Sequence, residues 1–307
     1  MKMITRYSEL IDEVLKSEPA KVAVAAAQDD SVLHACQDAF ERGLATFTLF
    51  GDMGRIETAA QKAGIRLDGM KIVNEPDDMR SAMQAVECVS TGNADIVMKG
   101  LINTSDLLRA VLDKTVGLRT GRVLSHLAVF ELQGFNRLIG VTDGGMNIVP
   151  TLMQKADIIQ NAAEVFRRLG VDPVKVAVLA AVETVNADMP GTIDAAALTK
   201  MTDRGQIRGV VVDGPLALDN AVSEEAARHK GIVSPVAGKA DILLVPNLEV
   251  GNVLGKSLVY MAGGKIAGLI VGARRPVVVT SRADTPESKV ISIALASLCG
   301  RNISHAV

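Results

Sequence analysis

Short, nearly continuous runs of apolar and β-branched residues alternate with helical periodicity along almost all of this 307-residue chain. KVAVAAA (21–27), TFTLFG (46–51), DIVMKG (95–100), VLSHLAVFEL (123–132) and RLIGVTD (137–143) read as strands. So do VKVAVLAAVE (174–183), IRGVVVDG (207–214), ADILLVPN (240–247) and KIAGLIVGA (265–273). A strand that is apolar on both faces must be covered on both faces, as in a parallel sheet flanked by helices. Helices are predicted between them, for example SVLHACQDAFERG (31–43) and DMRSAMQAVECVSTG (78–92). The best-marked helix has Pro150 in its first turn and Leu152, Ala156, Ile159, Ala163 and Phe166 on one face. Arg167 and Arg168 complement its C-terminal dipole, and Gly170 stops it. The fold class is α/β.

Two places break the alternation. VLSHLAVFEL and RLIGVTD are consecutive strands with only QGFN (133–136) between them, and PVVVTS (276–281) follows KIAGLIVGA at once. These breaks predict two α/β domains with parallel-rich sheets around an interdomain cleft. One holds residues 1–134 and 277–307, with the C-terminal helix returning to it, and the other holds residues 135–276. The cleft is then lined by loops at strand ends.

Composition narrows the function. A net charge of −2 with scattered Lys and Arg argues against a nucleic-acid binder, and the absence of Trp leaves little to stack bases on. No apolar run reaches the ~18 residues of a membrane span. The charged start MKMITRYSELIDEVLKSEPA has no signal-peptide core. A cytoplasmic protein is expected, with Cys36, Cys88 and Cys299 as buried thiols in a reducing compartment. The four histidines form no HExxH, and neither GxSxG nor CxxC occurs, so metal hydrolysis and Ser-His-Asp catalysis are disfavoured and no metal site is expected.

The last quarter carries most of the chemistry. ADILLVPNLEVGNVLGKSL (240–258) and VVVTSRADTPESK (277–289) each pass from a buried strand through a polar loop to a helix start. Exposed N–H groups and the helix dipole make such a start attractive to anions. With Lys256 and Arg282 near these starts in sequence, the pattern suggests a substrate bearing phosphate. Ser281 and Arg282 offer a hydroxyl and a guanidinium for a bidentate phosphate clamp, ahead of Thr285 as N-cap, Pro286 at the first position and Glu287 just inside. An ordinary capped helix with a surface Arg is the plainer reading of the same run. Gly251 and Gly255 enclose three residues before Lys256, one fewer than a P-loop needs, which leaves a tight Gly251-Asn252 turn into an anion-facing helix, with Asn247, Gly251, Asn252 and Lys256 as candidate substrate contacts. Asp143 and Asn147 follow a strand in VTDGGMNIVP without dinucleotide-binding spacing, and VVDGPLALDNAVS (211–223) repeats the pattern. A plain βα turn accounts for both loops equally well. Lys99 ends a strand and Thr104 is the expected N-cap of the next helix, both in reach of a cleft ligand, although capping alone accounts for Thr104.

KGLINTSDLLRAVL, VTDGGMNIVP, VDGPLALDNAVS, ADILLVPNLEVGNVLGKSL and GARRPVVVTSRAD together resemble the phosphate acetyl/butyryltransferase family, a likeness spread from residue 99 to 284. The resemblance implies a two-domain fold like that of isocitrate and isopropylmalate dehydrogenases. It also implies reversible transfer of a short acyl group between coenzyme A and phosphate, by direct thiolate attack on the acyl carbonyl. Coenzyme A is then a substrate, no cofactor or metal is needed, and a homodimer or higher homo-oligomer is expected. Ser281 and Arg282 match the family's phosphoryl-binding Ser-Arg pair. The acetyl branch places an Asp six residues beyond that Arg as presumed base, where this chain has Ser288. Asp284 or Glu287 can serve instead, or coenzyme A can arrive ionised; Asp284 is the choice made here, with support of the N-cap as its alternative role. Gly255 replaces a Tyr common before the Lys in relatives. A butyryl-like preference is expected, set against an acetyl-preferring transferase, a metal-dependent dehydrogenase of the same fold, and a non-catalytic acyl-phosphate or coenzyme A binder.

Overall fold

Burial along the strands is continuous, so every central strand has both faces covered. The computed structural model describes residues 2–280 and 284–300. The chain opens with α1 (Tyr7–Leu15), β1 (Ala20–Ala25), α2 (Asp30–Glu41), β2 (Ala45–Gly51), α3 (Met53–Ala63), β3 (Lys71–Asn74), α4 (Asp78–Ser90), β4 (Ile96–Lys99) and α5 (Thr104–Val111). The middle adds β5 (Ser125–Glu131), β6 (Ile139–Thr142), α6 (Leu152–Arg168), β7 (Val174–Leu179), α7 (Pro190–Asp203) and β8 (Val210–Leu216). Then come α8 (Leu218–Val222), α9 (Glu224–His229), β9 (Ile242–Leu244), α10 (Leu248–Tyr260), β10 (Lys265–Val271), β11 (Val277–Val278) and α11 (Pro286–Gly300).

Two compact units result: a terminal unit of Tyr7–Gly121 with Ala267–Val307, and a central unit of Met1–Arg6 with Arg122–Ile266. They part at 121/122 and 266/267, whereas the sequence reading divides the chain at 134/135 and 276/277. Both breaks in the alternation are antiparallel pairings, β5 with β6 and β10 with β11, which need only short connections.

In the terminal unit the strand order is β3-β2-β1-β4-β11-β10, parallel throughout except for the last pair. β3 is absent from the strands expected above, because KIVN is a half-exposed edge strand with only two apolar residues. α11 is buried around most of its circumference, from Ser288 to Ser297. Its polar groups are therefore satisfied internally: Ser292 Oγ donates to the Ser288 carbonyl at 2.8 Å and accepts from Gly268 N at 3.0 Å.

In the central unit the order is β5-β6-β9-β7-β8, parallel from β6 onward. β8 runs on through Pro215, past the expected end at residue 214. Proline is tolerated there because β8 is the last strand in the order and its register against β7 shifts between Ala177 and Leu179. The best-marked helix starts later than expected. Pro150 lies outside it, and Thr151 caps α6 by a reciprocal box with Gln154. Its apolar face, including Ala156, Ile159, Ala163 and Phe166, is buried as the spacing requires.

Phe166 is fully buried, and its ring edge sits over Gly140 of β6: a Cβ added at Gly140 would lie 2.7 Å from Phe166 Cε2. Gly140→Ala should therefore destabilise the fold by about 1–3 kcal/mol, the usual cost of overpacking. Phe166→Leu in the same chain should recover part of that loss, read as non-additive melting temperatures in a double-mutant cycle.

Candidate active site

In the central unit, β6 delivers the chain into the loop 143–151, and the side chain of Asp143 shapes that loop. Asp143 is 2% exposed. Its carboxylate accepts from Gly145 N and Met146 N at 2.9 Å, from Asn147 N at 3.2 Å and from Asn147 Nδ2 at 2.6 Å. Asn147 Nδ2 also donates to the Leu124 carbonyl at 2.9 Å, tying the loop to the segment before β5. These bonds occupy the Asp143 carboxylate and the Asn147 amide nitrogen within the loop, which matches the plain βα-turn reading.

α10 starts against this loop. Leu248 N donates to the Ile148 carbonyl at 3.0 Å, and the Asn247 side chain caps the helix by accepting from Val250 N at 3.0 Å. Two amides of the helix start are therefore already used, so this terminus differs from the open anion site expected from sequence. Gly251 is the buried residue of α10 and faces Gly144 backbone to backbone. A Cβ at Gly251 would come within 2.6 Å of Gly144 Cα. Neither atom belongs to a flexible side chain, so close approach here demands glycine. Asn252 and Lys256 are exposed on the same helix. Asn252 Nδ2 reaches the Gly144 carbonyl at 3.5 Å. Lys256 is eight residues into α10, about 12 Å along the axis at 1.5 Å per residue, so it does not stand beside the helix start. At Gly255 an added Cβ would make only ordinary contact with Phe130, at 3.6 Å from Cζ.

In the terminal unit, β1, β4 and β11 are parallel neighbours that end on the same side. Lys99 is the last residue of β4 and is half-buried. Gly100 N donates to the Ala25 carbonyl at 2.8 Å and Leu101 N to the Ala26 carbonyl at 2.6 Å. A Cβ at Gly100 would overlap the Ala26 carbonyl oxygen at 2.2 Å, so the Lys-Gly turn depends on glycine. Asn103, not Thr104, is the N-cap of α5, and Thr104 is its exposed first residue. Asn103 has equal standing as a cap in sequence, and the backbone turns helical only after it. Asp78, Met79, Leu101, Ile102, Asn103 and Asp106 line an open pocket of about 160 Å³ that no sequence motif pointed to. The reason is that its walls come from the starts of two helices well separated in sequence.

The register Val278 with Met98 brings the chain out of β11 next to Lys99. Ser281 and Arg282 follow and lie outside the described residues. Asp284 is half-buried, and α11 begins as expected: Thr285 Oγ1 accepts from Ser288 N at 3.2 Å, with Pro286 first in the helix. Ser288, at the position of the acetyl branch's Asp, is buried and receives the Thr285 hydroxyl at 3.0 Å. It completes the cap. Lys289, also missed in sequence, is 2% exposed and donates from Nζ to the Asp284 carbonyl at 2.8 Å. A single Lys opening the apolar run KVISIALA is its only trace in sequence.

Of the three thiols expected to be buried, Cys36 is, whereas Cys88 and Cys299 are half-buried. Burial pushes the Cys36 thiol far above its ordinary range, and burial also raises Cys88 against the opposing pull of Lys71 and Lys21.

Residues 7–83 and 78–297 match the family model described as phosphate acetyl/butaryl transferase. The chain belongs to the phosphate acetyl/butyryl transferase family. It is 53% identical over 300 residues to the phosphate butyryltransferase of Clostridium acetobutylicum, covering 98% of this chain and 100% of that one. A phosphate acetyltransferase of Thermotoga maritima is 45% identical over 292 residues, covering 95% and 99%. The crystal structure of a branched-chain phosphotransacylase from Enterococcus faecalis V583 superposes with a TM-score of 0.82 at 36% identity, covering 92% of this chain and 99% of that one. The family resemblance and the α/β class expected from sequence therefore hold.

The turn at Asp143 gives this site its first test. Asp143→Ala strips the partner from three backbone N–H groups, and each buried unsatisfied group costs about 1–3 kcal/mol. The expected outcome is a lower melting temperature together with lost activity. Asp143→Asn, which keeps one acceptor oxygen, should fall between the two in a thermal melt.

Proposed function

We propose that this chain catalyses the reversible transfer of a short acyl group between coenzyme A and inorganic phosphate, with butyryl-like chains favoured over acetyl. The full-length identity of 53% to a phosphate butyryltransferase carries this reading. In the direction that consumes acyl phosphate, the coenzyme A thiolate attacks the acyl carbonyl. A C–S bond forms, the C–O bond to phosphorus breaks, and phosphate leaves with the electron pair. The balance closes with no further cofactor or metal.

Ser281 and Arg282 are proposed to hold the phosphoryl end, where a fixed guanidinium stabilises the charge gathering on the leaving phosphate. Lys99, from the strand beside β11, and Thr104 are the proposed contacts supporting them. Asp284 is the proposed base for a thiol whose ordinary pKa is about 8.5. In the central unit, Asn252 and Lys256 are the proposed substrate contacts, with Asp143, Asn147, Asn247 and Gly251 as the frame behind them. The reduced cysteines agree with a cytoplasmic setting. Among the described residues, no helix is long and apolar enough to cross a membrane.

Homo-oligomerisation is part of this reading. Ile148, Val149 and Met153 are 71%, 75% and 64% exposed, and Val253 of α10 is 66% exposed. The Leu248–Ile148 hydrogen bond holds the two stretches together. Exposed apolar side chains of this kind favour association. Val253→Asp should shift the protein to a smaller species in light scattering, and an unchanged mass would count against this face.

Thiol release from acyl-CoA and phosphate tests the chemistry. Two extra methylenes at roughly 0.8 kcal/mol each predict a kcat/KM for butyryl-CoA on the order of tenfold above that for acetyl-CoA. The reverse order would favour the acetyl-preferring alternative. Arg282→Ala should cut turnover by ~10²-fold or more, the scale of losing a key anion-stabilising donor, while leaving the fold intact. Asp284→Asn should lower kcat and move the rate profile to higher pH, since solvent must then supply the thiolate. An unshifted profile with normal turnover would remove Asp284 from the base role.

A further inference from the structure

Asn161 lies on the buried face of α6 and is 1% exposed. The buried residues around it on the helix, Ile158, Ala162 and Val165, are apolar. Its Nδ2 donates to the Val123 carbonyl at 2.8 Å and to Ser125 Oγ, itself fully buried, at 3.1 Å. Asn161 Oδ1 is buried and has no hydrogen-bond partner among the described residues. One turn earlier on the same helix, Asp157 Oδ2 accepts from Val123 N at 3.1 Å. α6 therefore holds Val123 by both its N–H and its carbonyl.

The loop after β6 is anchored on the same short segment. β5 pairs antiparallel with β6, Leu127 opposite Thr142, so the residues just before β5 run alongside those just after β6. The Leu124 carbonyl, between the two residues that Asn161 holds, accepts from Asn147 Nδ2 at 2.9 Å. Asn147 Nδ2 also reaches Asp143 Oδ2 at 2.6 Å, and the Asp143 carboxylate gathers the amides of Gly145, Met146 and Asn147. A continuous path of hydrogen bonds and one peptide segment leads from the core face of α6 to this loop.

Folding alone does not call for Asn at this position. A buried amide that leaves one acceptor unmet costs stability, and Leu is close to Asn in shape and suits the apolar neighbours. What Asn supplies and Leu lacks is a donor that fixes two groups of residues 123–125 at once.

We infer that Asn161 is a positioning residue for the acyl transfer: by fixing residues 123–125 it fixes Asn147 and Asp143, and with them the 143–147 loop. α10 starts against that loop, through the Leu248–Ile148 hydrogen bond and the contact of Gly251 with Gly144. The inference rests on the proposed role of the loop as the frame behind Asn252 and Lys256, and extends that frame into the core of the central unit. Asn161 does not touch substrate in this scheme. Its effect passes through the Leu124 carbonyl to where the loop stands.

Asn161→Leu and Asn161→Ala test this, the smaller side chain covering the case in which Leu does not fit. The readouts are amide hydrogen exchange by mass spectrometry, melting temperature, and kcat and KM for butyryl-CoA. Leu removes an unmet acceptor and also strips a partner from the Val123 carbonyl, opposing effects that should leave the melting temperature near wild type. Exchange in the peptide spanning residues 143–149 should be about tenfold faster in both variants, while peptides from β7 and α7 exchange as in wild type. KM for butyryl-CoA should rise about fivefold or more with kcat within about twofold. Because the path runs through Asn147, Asn161→Leu combined with Asn147→Ala should cost no more in kcat/KM than Asn147→Ala alone.

Unchanged exchange at 143–149 overturns the inference, as does exchange that rises evenly across the central unit. Failure of both variants to fold also overturns it, since that marks a purely structural residue. A loosened loop with KM unchanged, or additive losses in the double variant, breaks the link to the reaction and overturns it too. A wild type that turns over no acyl-CoA would end the functional reading instead, and the exchange data would still decide whether Asn161 holds the loop.

Discussion

A strand buried on both faces has no place for a polar side chain except at its ends. β1, β4, β6, β7 and β9 are all covered in this way, and the residues with chemical potential accordingly gather where these strands stop. Lys99 closes β4, Asp143 follows β6, and Asn247 lies three residues past β9. Because β1, β4 and β11 run parallel in the terminal unit and β6, β9 and β7 in the central unit, several such ends fall on one side within each unit. Within each unit the loops inherit their positions from how the sheet is covered.

Backbone contact then sets how closely the loops pack. Gly100 against the end of β1 and Gly144 against Gly251 are places where main chains meet with no room for a Cβ. The same economy governs the polar groups: the Asp143 carboxylate and the Asn247 side chain spend their capacity on loop amides and a helix start. Side chains that looked like ligand contacts in the sequence are therefore, in the central unit, mainly the braces of a turn. Residues left exposed on α10, Asn252 and Lys256, have no such duty to the loop geometry beyond the long contact of Asn252 to Gly144.

At the start of α11 the physics runs the other way. Thr285 and Ser288 form a complete cap from short side chains, which explains how the helix begins without help from a longer polar residue. Lys289 is surplus to that cap. Its Nζ turns back to the Asp284 carbonyl at 2.8 Å and so ties the first turn of α11 to the residue before the cap.

The α/β class, the parallel strands and the buried face of α6 were legible in the residues, because runs such as VAVLA and the three-and-four spacing of α6 depend only on local periodicity. The family was legible too, since its loops are contiguous strings such as VTDGGMNIVP and PNLEVGNVLGKSL. The edge strand β3, the passage of β8 through Pro215 and the choice of Asn103 over Thr104 as cap were decided only in three dimensions. Each depends on which neighbour a strand or helix start meets, and periodicity carries no such information. The same holds for Asp143 as a brace and Lys289 as a buried side chain. Sequence fixes which groups are present and how they are spaced, whereas burial and hydrogen-bond partners, which set what a charged group does, arise from segments brought together by the fold.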